Sequence, residues 1–170
     1  MLQSYIDILN RAVGGSLGRS MAEVFYRTYL ETTPQAAVDA GASWMHGEVQ
    51  LRFEDAPVLF LGWGENEGFG DHFSLLPSET STYQPNTIVS LPALASPEWR
   101  SLRGSPLVEA QLLGANGTPH ILVLRFTTGA VGIGDGYDRE FGDGDQIIVH
   151  FLPDPQLVEF PEMLWRVSAV

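Results

Sequence analysis

Four aspartates crowd one glycine-rich segment of this sequence: Asp135, Asp138, Asp143 and Asp145, within the stretch from Gly134 to Asp145. Hard cations such as Ca²⁺ take several oxygens at about 2.3–2.6 Å from a loop supple enough to converge, and glycine permits that. The spacing matches neither an EF-hand nor the nonapeptide Ca²⁺ repeat, and aspartates capping their own backbone N–H groups in a solvated turn explain the same residues. An earlier segment, Gly62 to Gly70, sets Trp63, Glu65 and Glu67 among its glycines. An aromatic anchor ringed by acids suits a surface that receives a basic protein. Trp63, Glu65, Glu67, Asp135, Asp138 and Asp143 are therefore the candidate partner-binding residues. Asp135, Asp138, Asp143 and Asp145 form the candidate metal set.

Other motifs carry less. Gly14-Gly15-Ser16-Leu17-Gly18 matches the nucleophile elbow of serine hydrolases, but an elbow needs a strand before its serine and a helix after it. Here a helix precedes and a strand follows, so a helix ending on glycine is the better reading. Gly62-Trp63-Gly64 and Gly132-Ile133-Gly134 lack the GxGxxG spacing, and the acids beside them repel phosphate. His46, His72, His120 and His150 lie far apart with no paired metal spacing. His46-Gly47-Glu48 is similar to the opening of a zinc-deaminase site, whose cysteine pair is missing from a chain with no Cys. Asn116-Gly117-Thr118 has the form of a glycosylation sequon, and a hairpin turn accounts for it. No cofactor is expected, and the balance leans away from an enzyme.

The chain has 170 residues, with 21 acidic against nine basic ones and a formal charge of -12. Every basic residue is arginine. A field this negative repels phosphate backbones, which argues against nucleic acid as a partner, and it steers a basic protein inward. No apolar run approaches the roughly 20 residues that span a bilayer, so no membrane is expected. The opening residues lack the basic stretch of a secretory signal. Without cysteine there is no disulfide framework, and a cytoplasmic protein is expected. The apolar fraction of 44% with nine Phe, five Tyr and four Trp is enough for a packed core.

The elements that must position these residues follow from periodicity. Leu2, Ile6, Leu9 and Val13 recur at helical spacing until Gly14-Gly15 stops them. Met21 to Leu30 is rich in strand formers. Thr33-Pro34 is read as an N-cap with proline at the first helical position, opening a short helix closed by Gly41. Gly47 to Phe53 alternates, with Val49, Leu51 and Phe53 on one face and Glu48, Gln50 and Arg52 on the other. Val58 to Leu61 and His72 to Leu76 flank the first glycine-rich segment, read as a loop. Residues 77–95 read as a connector with an edge strand over Thr87 to Leu91. Ser96-Pro97 starts a helix that Gly104 ends. Asn116-Gly117 between two apolar runs is the strongest hairpin signal. Ala130 to Ile133 and Gln146 to Leu152 flank the second glycine-rich segment, again read as a loop.

The two halves resemble each other. Leu51-Arg52-Phe53 matches Leu124-Arg125-Phe126 at an offset of 73, and Phe69-Gly70-Asp71 matches Phe141-Gly142-Asp143 at an offset of 72. The sequence therefore predicts an α+β fold, mainly antiparallel β-sheet with a few short helices, in one compact domain over 1–170. Two pseudo-repeated helix-plus-strands units cover about 2–76 and 96–152, and an apolar tail over 153–170 covers the sheet. Arg52 and Arg125 are expected at equivalent places, in surface or inter-strand ion pairs.

From Leu9 to His72, and again from Trp99 to Phe151, the succession of helix, glycine-serine step, strand ending in Leu-Arg-Phe, and Gly/Asp segment resembles small acidic bacterial proteins of unknown function. Some of these are thought to be immunity proteins that neutralise polymorphic toxins. The resemblance implies a binding role and carries over no functional residue. The first reading is thus a non-catalytic interaction module, of immunity type, for a basic protein partner. The alternative is a small-molecule or divalent-metal-binding domain with carboxylate-based hydrolase or lyase activity. A homodimer joined through the apolar tail is a third reading.

Overall fold

Local chemistry sets most of the elements. The computed structural model describes residues 2–30, 34–36, 42–65, 73–136, 146–151 and 162–170. Helix α1 (Leu2–Gly14) buries Tyr5, Leu9, Ala12 and Val13, one side of a helical repeat. Strands β1 (Met21–Tyr29), β2 (Gln35–Ala36), β3 (Ala42–Met45), β4 (Gly47–Phe53), β5 (Leu59–Glu65) and β6 (Phe73–Ser78) follow. A 3₁₀ turn at Pro85–Thr87 leads into β7 (Ile88–Pro92), and a second at Ala93–Ala95 into α2 (Pro97–Leu102). The α2 start is capped as its sequence requires, Trp99 N–H donating to Ser96 Oγ at 3.2 Å. The remaining strands are β8 (Leu107–Ala115), β9 (Thr118–Phe126), β10 (Gly129–Gly136), β11 (Gln146–Phe151) and β12 (Glu162–Ser168). Asn116 and Gly117 join β8 to β9 with φ of 53° and 75°, the two positive values that a tight hairpin turn demands.

The strands make two antiparallel sheets, a five-stranded one in the order β6-β5-β4-β1-β7 and a seven-stranded one in the order β12-β8-β9-β10-β11-β3-β2. β6 packs on β9 and β10, and β11 on β4 and β5. One apolar core results, built from Val49, Leu51, Leu59, Leu61 and Leu75 of the first sheet and Leu112, Leu122, Leu124, Val131, Ile133 and Val149 of the second.

Both sheets are the same meander. β1-β4-β5-β6 corresponds to β8-β9-β10-β11, with β7 flanking β1 as β12 flanks β8. β1 and β8 share one burial pattern, and each bulges at its start, between Met21 and Glu23 and between Leu107 and Glu109. After the bulge Glu23 lies opposite Arg52 and Glu109 opposite Arg125. Both couples are ion pairs, at 2.7 Å and 3.3 Å, as expected for the two arginines.

The halves clasp through reciprocal backbone bonds. Gly18 N–H donates to Leu107 O and Gly104 N–H to Met21 O, both at 2.8 Å, while Met21 N–H donates to Ser105 O and Leu107 N–H to Arg19 O. Gly18 and Gly104 both have φ of 75°, which favours glycine. The helices sit differently on the two sheets. α1 lies on β6 and β12, whereas α2 lies on β10 and sends Trp99 between Phe151 and Tyr26. The fold is thus α+β with mainly antiparallel sheet, arranged as two like helix-plus-strands units.

Three readings need correction. Gln35–Ala36 is strand, not helix: it pairs with Ser43 and Trp44 and completes the edge of the second sheet. Thr-Pro favours extended backbone as readily as a helix start, and sheet pairing decided. The glycine-rich stretches are not loops throughout, since Gly62 to Glu65 and Gly134 to Gly136 continue β5 and β10. Close approach of the neighbouring strand accounts for Gly134 in β10. There it is strict, since a Cβ would sit 2.6 Å from His120 O, whereas one on Gly62 would make only an ordinary contact with Glu48 at 3.4 Å. Finally, residues 162–168 of the apolar tail do not cover a sheet face. They join the sheet's edge as β12, paired with β8.

Candidate functional site

The structure gives the partner-binding candidates only in part. Trp63 and Glu65 lie on β5 with their backbones opposite Leu75 and Phe73, and Asp135 lies on β10 opposite Ile147. Matching strand with strand puts Trp63 and Asp135 at equivalent positions of the two sheets. Glu67, Asp138, Asp143 and Asp145 lie outside the described residues, so the metal set is represented by the Asp135 backbone alone. Among the described residues no three His, Asp or Glu side chains come together as a metal site.

A different cluster emerges on the outer face of the first sheet. Alternation puts Glu48 with Gln50 and Arg52 on the face of β4 away from Val49, Leu51 and Phe53, yet it is 1% exposed. The topology explains this. β6 and β7 are opposite edges of one sheet, so the connection between them must cross a face, and residues 79–84 do so over Glu48. Ser81 Oγ donates to Glu48 Oε1 at 2.5 Å, Thr82 N–H adds another bond, and Arg27 Nε approaches at 3.3 Å. Tyr83 donates its hydroxyl to Gly47 O and packs edge-on against Tyr29. The Arg27 guanidinium also lies over the Phe60 ring, 5.3 Å from its centre.

Burial pushes the Glu48 carboxyl above its ordinary value. The bond from Ser81, the Arg27 charge and the Thr82 N–H pull it back without cancelling that effect. A raised carboxyl can mark a catalytic acid, yet this one is enclosed by its own chain, with its described bonding partners all internal. A cleft of about 380 Å³ runs between α1 and β6, lined by Ile8, Arg11, Ala12, Leu76 and the turn from Pro77 to Thr80, and Glu48 is not among its walls.

The remaining motifs resolve plainly. Ser16 follows α1 and precedes β1, the reverse of a nucleophile elbow, and it is fully buried. His120 is on β9, and His150 on β11 is buried. His46 sits at the bend where the chain leaves β3 in one sheet for β4 in the other. Asn116-Gly117 is the hairpin turn. No helix among the described residues is long and apolar enough to cross a membrane.

No family model, curated protein or solved structure matches this chain.

Proposed function

We propose that the protein is a non-catalytic interaction module that receives a basic protein partner through its two acidic glycine-rich segments. The observation that carries this reading is the equivalence of the strand pairs from which those segments run. Gly64 lies opposite Ser74 as Gly136 lies opposite Gln146, so the repeat offers an acidic segment twice from one scaffold. The charge of -12 supplies the long-range attraction. The partner-binding residues are Trp63, Glu65, Glu67, Asp135, Asp138 and Asp143, with Trp63 as the apolar anchor and the acids as the complementary rim. A cytoplasmic immunity-type role, in which the partner is a basic toxin, is the specific form of this reading.

The test is capture from the native host over a salt series, beside a variant with Glu65, Glu67, Asp135, Asp138 and Asp143 changed to their amides. A basic protein should be retained at low salt by the natural chain and lost by the variant. Retention that ignores both salt and the five substitutions would defeat the proposal.

A further inference from the structure

At one matched position the two halves carry different chemistry. In the first sheet Arg27 lies opposite Glu48 across β1 and β4. In the second, Leu113 lies opposite Ile121 across β8 and β9. The surroundings are shared: the bulge, the Glu–Arg pair beyond it, and a glycine on the next strand, Gly62 or Gly134. The fold therefore accepts an apolar pair at this place. A buried charge pair is weak evidence of stabilisation, and its best-attested use is to specify alignment.

The halves also differ in how these strands are brought together. β8 and β9 are joined directly by the two-residue turn Asn116-Gly117, which sets the pairing at that end, and a bulge between Leu113 and Gly114 shifts it by one residue before Leu113 meets Ile121. β1 and β4 have no such turn. Seventeen residues separate Tyr29 from Gly47, and within them the chain visits the other sheet as β2 and β3.

We propose that the buried Arg27–Glu48 pair is the register key of the first sheet, supplying to β1 and β4 the alignment that the Asn116-Gly117 turn supplies to β8 and β9. A slip of two residues keeps every side chain on its own face, so the apolar inner face discriminates poorly against it. The outer face does not. In the native register Arg27 meets Glu48; slipped in either direction, Glu48 would face an aromatic residue, Phe25 or Tyr29. A buried carboxylate without its cation is far costlier than a shifted apolar contact. The pair acts mainly as a penalty on wrong alignments. Ser81, reaching Glu48 from the β6–β7 connection, checks the same position again once the sheet is assembled.

The chain contains no cysteine, so introduced pairs report cleanly. Glu23→Cys with Arg52→Cys reports the native register, and Glu23→Cys with Gln50→Cys or with Glu54→Cys reports the two-residue slip in one direction or the other. Each pair is placed in the natural chain and in an Arg27→Leu/Glu48→Ile background, which copies the second half, and all six proteins are refolded under oxidising conditions. In the copied background a slipped cross-link should rise several-fold and the native one fall. The urea midpoint of Arg27→Leu/Glu48→Ile without cysteines should be no lower than that of the natural chain. An unchanged ratio of slipped to native cross-links overturns the proposal. So does loss of the native cross-link with no gain of either slipped one, which would make the pair a plain stabilising contact.

Discussion

Phe53 and Phe126 stack almost parallel, their ring centres 6.3 Å apart and their planes 10° from one another. Each closes the Leu-Arg-Phe run of its own sheet, and each lies opposite the first residue of its neighbour strand, Met21 or Leu107. The two sheets thus meet through the same residue of the repeat. Phe53→Ala and Phe126→Ala should each cost about 3–5 kcal/mol in urea unfolding. The double variant should cost less than the sum, by roughly 0.5–3 kcal/mol, because the two rings share one contact. Strict additivity would show that the stacking carries no energy.

Glu48 and Arg27 give a contrast between breaking a pair and replacing it. Glu48→Ile alone leaves the largely buried arginine without its carboxylate and should cost about 3–5 kcal/mol. Adding Arg27→Leu should recover that loss and leave the protein neutral or up to about 4 kcal/mol more stable. Denaturant titration at neutral pH reads both. A double variant weaker than the single one contradicts this.

The raised Glu48 carboxyl sets a direction for the pH dependence. The folded state holds the Glu48 proton more tightly than the unfolded chain, where the group titrates near 4.5. Its contribution is therefore fully present below that value and is lost as pH rises through the higher folded value. Relative to Glu48→Gln, the natural chain should lose stability on going from about pH 4 to about pH 7, and a difference curve that rises over this interval excludes the assignment.

Two glycines separate a conformational cost from a steric one. Gly18 has φ of 75° with open space where a Cβ would stand, so Gly18→Ala should cost only about 1–2 kcal/mol. Gly47, where the chain passes from one sheet to the other, has φ of 143°, and a Cβ there would lie 1.9 Å from the Arg27 carbonyl oxygen. Gly47→Ala should cost at least about 3 kcal/mol, since backbone itself must move. Equal losses at the two sites would mean that the overlap relaxes.

Metal binding at Asp135, Asp138, Asp143 and Asp145 competes with the interaction reading. A cation that binds only the native state must raise its melting temperature. Ca²⁺, Mg²⁺ and Mn²⁺ at millimolar concentration should leave the melting temperature unchanged, and a rise that Asp143→Asn abolishes would favour the metal instead.

What the sequence makes legible is local. Apolar spacing in α1, Ser96 before Pro97, the Asn116-Gly117 turn and the alternation of β4 each announce an element through neighbours a few residues away. The like layout of the halves is legible as well, because Leu-Arg-Phe and the glycines recur at nearly constant offset. What escapes is whatever depends on distant chain. Gln35 and Ala36 become strand only because β3 offers them an edge. Gly62 and Gly134 look like loop residues until the strand beside each is known. Glu48 looks exposed because alternation distinguishes two faces of a strand but not what lies over either, and its cover comes from Ser81 and Thr82. Of the six partner-binding candidates, Trp63, Glu65 and Asp135 are located by their backbones.

The reciprocal bonds of Gly18 and Gly104 have a mechanical consequence. Each half's opening strand is anchored by the turn that ends the other half's helix, so neither sheet can peel away while its companion keeps every tie. Heat or denaturant should meet a single cooperative block, with the slowest amide exchange at this crossing and no stage at which one half stands melted beside an intact sibling.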